Sequence, residues 1–431
     1  MRILVSLFLL GLSSPALADD AACRTAPTRT CVFDMALAAA SDEQDLQRVV
    51  TDLLTIAALQ ESAGDAAASS ATAAQLIALI EDREPDATKA DALLNWSAMA
   101  VSELIADAPL LATRMAQHSF GDDSALMTRL RFAALVGDLD GVNTMLDAAP
   151  GSAKDDLVLN AASMLMARGD YVAAYDIGER SSTPALRVML DETAVTLLLR
   201  TDSLEAAEVV AAGMPDPAAR AGAIVKVATA LARHGEIAKA KAYADHAGEL
   251  AGGKLSTYAT LSRAAILVLA GDSAGAEALI TSIKPDDMPP RGLESIALLG
   301  AIMAGDKAEV ATLLGGFDQP NRAALAVKQA ALACLEAGVC EASQVLAMVE
   351  GSAKAGVLNA LGLLQARAGD SAAALGTLKD LRALGAETRA NGDFRTALVL
   401  LLAREGNARL ALDLAVEGGD ARILAELANL L

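Results

Sequence analysis

The chain has 431 residues, 54% of them hydrophobic but only 3% aromatic, and a formal net charge of −20. So acidic a surface repels nucleic-acid backbones and anionic membrane surfaces, which counts against both as partners. A large interior almost without rings must be filled by Ala, Leu and Val, whose small faces let backbones approach closely, so the composition favours helix on helix.

The first eighteen residues, MRILVSLFLLGLSSPALA, carry one Arg, an apolar run, a helix-breaking Gly-Leu-Ser-Ser-Pro, and Ala16 and Ala18 around Leu17. That order predicts a cleavable secretory leader, residues 1–18, with the mature chain starting at Asp19. The run from Ile3 to Leu10 is far short of the roughly 20 residues that span a bilayer, so no membrane insertion is expected after cleavage. Asp20 stands three places before Cys23, where a lipoprotein signal wants a Leu-like residue. The expected compartment is the periplasm, and losing Arg2 with the leader makes the chain one unit more acidic.

The four cysteines form two close pairs, Cys23 with Cys31 and Cys334 with Cys340. In an oxidising compartment this reads as two disulfides. CRTAPTRTC would pin a disulfide-tied N-terminal segment, residues 19–40; CLEAGVC would staple a helix end across a turn, provided the Cα atoms come close enough. A zinc site would want CxxC spacing or nearby histidines, and none is present.

From residue 41 to 431 the chain is expected to be one repeat domain. A turn of Gly, once Thr, followed by a mostly acidic or polar residue recurs at Gly137, Gly169, Thr201, Gly235, Gly271, Gly305, Gly338, Gly369 and Gly406. Eight intervals cover 269 residues, a mean period of about 33.6. Seven residues before the turn stand Leu130, Ala162, Ala194, Ala228, Ala264, Leu298, Ala331, Gly362 and Val399, and a second apolar column lies four further on. Two columns four apart define one face of a helix. Five residues after the turn comes a small residue in most copies, including Ala174, Ala206, Ala240, Ala276, Ala374 and Ala411, with Val142, Val310 and Ser343 departing. Each unit is thus helix A, a tight turn and helix B. Units are punctuated by segments such as MPDPAARAGA and FDQPNRAALA, and a basic residue often opens helix A: Lys154, Arg187, Arg220, Arg291, Arg322 and Lys354. A cation there opposes the helix dipole, so a salt bridge to the neighbouring unit is the expected use.

The pattern resembles the tetratricopeptide repeat, most closely in NALGLLQARAGDSAAALGTL, where Leu361-Gly362, the turn Gly369-Asp370 and the small residue Ala374 match. The clearest repeats run from 125 to 420. The family's aromatic positions are mostly Ala or Leu here, and Pro at the repeat end is irregular, so these are divergent, Ala-rich units. The fold class expected is all-α, a right-handed α-solenoid of about ten to twelve antiparallel helix pairs with a period near 34 residues. The resemblance implies recognition of protein or peptide on a concave surface lined by helix A.

Enzyme chemistry has no visible carrier. His118, His234 and His246 lack metal-ligand spacing; Asp138-Leu139-Asp140-Gly141 lacks the remaining ligands of a calcium loop and occupies a repeat turn; nothing selects a carboxylate pair for acid–base work. The expectation is a non-catalytic, cofactor-free periplasmic scaffold holding another envelope protein or peptide. The alternative is an accessory protein holding a small solute or glycan within the superhelix. Binding residues are not identified by the sequence, and homo-oligomerisation stays open.

Overall fold

The computed structural model describes residues 20–118, 125–151, 153–181, 183–252, 255–283, 292–385 and 392–431. The expected leader and Arg291 lie outside them. Among the described residues the fold is all-α, with 26 helices and no strand. The N-terminal part comprises α1 (Asp20–Thr25), α2 (Arg29–Ser41), α3 (Leu46–Ser62), α4 (Ala66–Arg83), α5 (Ala87–Ala100), α6 (Ser102–Ala106) and α7 (Pro109–Gln117). Pairs then alternate through α8 (Ala125–Val136), α9 (Leu139–Ala148), α10 (Lys154–Ala167), α11 (Tyr171–Gly178), α12 (Pro184–Arg200), α13 (Leu204–Gly213), α14 (Pro217–Arg233), α15 (Ile237–Ala251), α16 (Thr257–Leu269) and α17 (Ser273–Thr281). They continue through α18 (Gly292–Ala304), α19 (Lys307–Gly315), α20 (Pro320–Glu336), α21 (Ala342–Met348), α22 (Gly351–Arg367), α23 (Ser371–Ala383), α24 (Gly392–Arg404), α25 (Ala408–Gly418) and α26 (Ala421–Leu430).

One dipeptide does most of the local work. At Gly169-Asp170 the glycine adopts φ +86°, which ends α10; its N–H returns to the Met166 carbonyl and that of Asp170 to the Leu165 carbonyl. The Asp170 side chain then accepts the Ala173 N–H and caps α11. Left-handed backbone costs an L-residue about 1–2 kcal/mol and costs glycine almost nothing, which explains Gly at this place. Gly64, Gly137, Gly235, Gly271, Gly305, Gly338, Gly369 and Gly406 share the positive φ, and Asp65, Asp138, Asp272, Asp306 and Asp370 repeat the cap.

Two copies depart from the register read in the sequence. In the third, the left-handed residue is Asp202 (φ 57°), not Thr201, and the Ser203 N–H makes the return bond to the Leu198 carbonyl at 2.8 Å. The columns slide by one: Val195 takes the place assigned to Ala194, and Ala207 is buried where Ala206 is exposed. The cause is local, because closure of the turn requires the left-handed residue at the helix end, and the chain supplies Asp there. In the copy at Gly338, helix B begins after an N-cap at Glu341, so Ser343 is exposed and Val345 is buried in its stead. The Cys334–Cys340 bond spans this lengthened turn with Cα atoms 5.5 Å apart, and Cys23–Cys31 joins α1 to α2 with a separation of 5.9 Å. Both expected pairings are therefore present, and the turn geometry does not hold the second pair apart.

Each helix A packs on its own helix B and on the next helix A, giving a continuous series α8, α10, α12, α14, α16, α18, α20, α22, α24, α26. The first column is buried throughout, from Leu130 and Ala162 to Gly362 and Val399. Packing can become very close: an added Cβ on Gly356 of α22 would lie 2.2 Å from the Ala324 carbonyl oxygen of α20. A second apolar stripe of helix A, six residues before each turn, is covered by neighbours, with Leu299 and Leu363 buried and Ala265, Leu332 and Leu400 half-buried.

The series does not end freely. α26 packs on both α2 and α3, α1 packs on α25, and α3 and α5 continue to α8, so the contacts close into a circuit. One hydrophobic cluster accordingly joins Val32, Phe33 and Leu53 to Ile423, Leu424 and Leu427, while a second is drawn from residues between Val195 and Ala360. Each such buried aliphatic side chain contributes roughly 1.5–3 kcal/mol, so this seam between the chain's two ends is a true core contact. Ion pairs tie units as well: Arg200 of α12 meets Glu103 of α6, and Glu336 of α20 receives Arg233 of α14 at 3.8 Å and Arg367 of the neighbouring α22 at 3.1 Å.

Two of the basic residues opening helix A, Arg187 and Arg322, make their ion pairs with carboxylates four residues away and not the inter-unit bridge expected. Arg187 meets Asp191 one turn on at 3.4 Å and lies 4.5 Å over the Tyr175 ring, and Arg322 meets Asp318 at 3.1 Å. A carboxylate four residues away lies within reach along the same segment, while the Tyr175 ring is on α11 of the preceding unit.

Candidate functional site

The seam creates a cleft of about 800 Å³. Its walls come from the turn between α2 and α3 (Glu43), from α3 (Arg48), from α23 (Arg382), from α24 (Gly392, Arg395) and from the α25–α26 junction (Glu417, Gly418, Gly419, Asp420, Ile423). Three arginines thereby converge in a chain whose overall charge is strongly negative.

Each cation is held in place. Arg395 is buried, donates to the Leu414 carbonyl at 3.0 Å and lies 4.0 Å from Glu417; its stem runs against Gly418, where an added Cβ would approach to 2.9 Å. Arg382 donates to the same Glu417 carboxylate, and Arg48 meets Glu43 at 3.2 Å. Gly419 closes α25 with φ 62°, and Asp420 caps α26 by accepting the Arg422 N–H. Glycines at 418 and 419 thus let the chain reverse while a guanidinium lies against it.

Carboxyl groups near the cleft are perturbed. Burial, reinforced by the negative charge of Asp420, pushes Asp52 of α3 up to about 6, against the opposing pull of Arg48 and Arg422. Burial also raises Glu426 of α26 and Asp34 of α2 above the ordinary carboxylate range.

This arrangement is suited to binding. Paired arginines and carboxylates recognise charged groups of both signs with fixed geometry. Among the described residues no group of three His, Cys, Asp or Glu is placed to hold a metal ion. The histidines stay apart: His118 lies 3.9 Å from Glu81, His234 meets Asp202 of the preceding turn at 2.9 Å, and His246 is exposed. The Asp138 carboxylate is occupied as a helix cap on the Gly141 N–H. The eight turn glycines singled out in the sequence all adopt positive φ at helix ends, and Gly406 borders a shallow surface depression.

The cleft itself was not apparent from the sequence, since its walls come from segments some 370 residues apart in the chain, as between Arg48 and Asp420. A signal did exist. ARILAELANL, the last helix, is buried at Ala421, Ile423, Leu424, Ala425, Leu427 and Ala428, whereas an open array needs a polar outer face on its terminal unit. No protein-family model matches the chain, and no curated protein matches it either. Among the described residues no helix is long and apolar enough to cross a membrane.

Proposed function

We propose that the protein is a non-catalytic, tetratricopeptide-like scaffold of the bacterial periplasm that binds another envelope protein or peptide. In this reading the helix pairs form a right-handed α-solenoid with a period near 34 residues, bent round until its ends meet. The binding site is the seam cleft, which takes a charged segment of the partner between its arginines and carboxylates. The observation that carries the reading is the convergence of Arg48, Arg382 and Arg395 from three separate helical segments on one cleft. The covered second stripe of helix A argues against a long apolar groove, and the two disulfides fit an oxidising compartment.

The test is crosslinking in intact cells followed by affinity purification, comparing wild type with Arg48→Glu and Arg382→Glu. Recovery of one stoichiometric protein, reduced at least tenfold by either reversal, supports the reading. Unchanged recovery by both variants places the partner elsewhere on the surface and overturns it.

A second reading is favoured by the cleft's size, which lies within the roughly 300–1,000 Å³ of small-molecule sites: an accessory protein that holds a solute or glycan fragment. Native mass spectrometry separates the two, since a retained low-mass species together with a bait free of protein partner selects the solute.

A further inference from the structure

The seam joins the two ends of the chain, so whatever weakens it also opens the cleft that it forms. Its helices α2, α3 and α26 bury Phe33, Leu53, Ile423 and Leu424 against one another, yet each of the three also carries a partly buried carboxyl group: Asp34, Asp52 and Glu426. Burying apolar groups favours closure at every pH. Burying carboxyl groups favours it only while they hold their protons, because an ionised carboxylate loses water on closing.

The charges around Asp52 sharpen this. α26 presents Asp420 and Arg422, Asp52's own helix presents Arg48, and the α2–α3 turn presents Glu43; α2 itself carries Asp34 and Arg29, the latter bound to the Ala63 carbonyl. On the other helices packed against α3, α5 carries the buried Asp91, Glu103 of α6 is engaged by Arg200, Arg114 of α7 donates to Ser70, and Glu81 of α4 faces His118. Ionisation of Asp52 therefore places a third negative charge beside Asp420 and Glu43, facing Arg48 and Arg422.

We propose that the seam is a proton-operated latch: protonated Asp52, with Glu426 and Asp34, holds the chain's two ends together, and proton loss to solvent loosens them and widens the cleft. A carboxyl whose proton is bound more tightly in the closed form stabilises closure in acid, and that stabilisation fades as pH rises. For Asp52 the loss is spread between the ordinary carboxylate value and about 6. A periplasm open to small ions follows the pH of its surroundings, so the latch would tighten on acidification. Regulation of binding rests on the seam cleft being the binding site; the latch itself is read without a ligand.

The experiment is amide hydrogen exchange by mass spectrometry on the full mature chain at pH 5.0 and 7.5, corrected for intrinsic rates. Peptides from α2 and α26 are compared with α14 and α15 as internal reference. Between pH 5.0 and 7.5, protection of α2 and α26 is expected to fall by about three- to tenfold relative to the reference, the partial exposure of Asp52 keeping the change well below the hundredfold of a fully buried group. Asp52→Asn, which mimics the protonated form in shape, should keep α26 protected at pH 7.5 and flatten the dependence; Glu426→Gln should do so in part. A constant protection ratio in the wild type overturns the latch, as does wild-type pH dependence in Asp52→Asn, or loss of protection at both pH values in both variants. Loss of partner binding in Arg382→Glu, a charge that is not among those acting on Asp52, with the exchange profile intact upholds the latch and supports the cleft as the binding site.

Discussion

Replacing Gly356 with Ala inverts the usual effect of that substitution. In an unobstructed helix interior, Gly→Ala stabilises by roughly 0.5–1 kcal/mol, because alanine has less backbone freedom to lose. At Gly356 the new Cβ would stand 2.2 Å from the Ala324 carbonyl oxygen, 3.1 Å from its carbon and 3.3 Å from its Cα. Ordinary C···O contacts run at about 3.3–3.6 Å, so α20 and α22 must part by about 1 Å. All three obstructing atoms are backbone or anchored to it, so no rotamer change relieves the clash. Such overpacking costs about 1–3 kcal/mol, and subtracting the helical gain leaves a net loss of roughly 0.5–2 kcal/mol. Gly376, on the exposed side of α23 with nothing within 4 Å of an added Cβ, is the matched control and should gain the full 0.5–1 kcal/mol. Urea unfolding followed by far-UV circular dichroism measures both. Gly356→Ala at or above wild-type stability would show that the backbones do not approach as closely as described.

Other substitutions probe the remaining features. Asp202→Gly relieves the left-handed backbone at the one described non-glycine residue that adopts it, and should stabilise by up to about 1 kcal/mol; a loss would mean that the contact with His234 outweighs the strain. Asp370→Ala removes a helix cap and should cost about 1 kcal/mol in the same unfolding assay. Replacing Cys334 and Cys340 together with Ala should cost about 2 kcal/mol, the amount expected from freeing so short a loop, and an unchanged midpoint would deny the bond a stabilising role.

The helix–turn–helix unit was legible in the sequence because its determinants are local. A left-handed residue sits at the turn after helix A, an acidic cap follows it in most copies, and apolar columns four apart face the core. Where the reading slipped, at Thr201 and at Ser343, the local chemistry had changed: Asp took the glycine's place in one copy, and in the other a longer, disulfide-spanned turn delayed helix B.

What only the tertiary structure decided is where the ends of the chain go. The packing of each helix on the next sets the path of the chain, and no residue encodes that path alone. Its outcome brings Arg48 to Arg395, Asp52 to Asp420 and α2 to α26, with nearly the whole chain between them. The sequence determined the repeating unit, since hydrogen bonds within a turn act over five or six residues; the cleft and its proton-sensitive seam depend on contacts made only after every unit has packed.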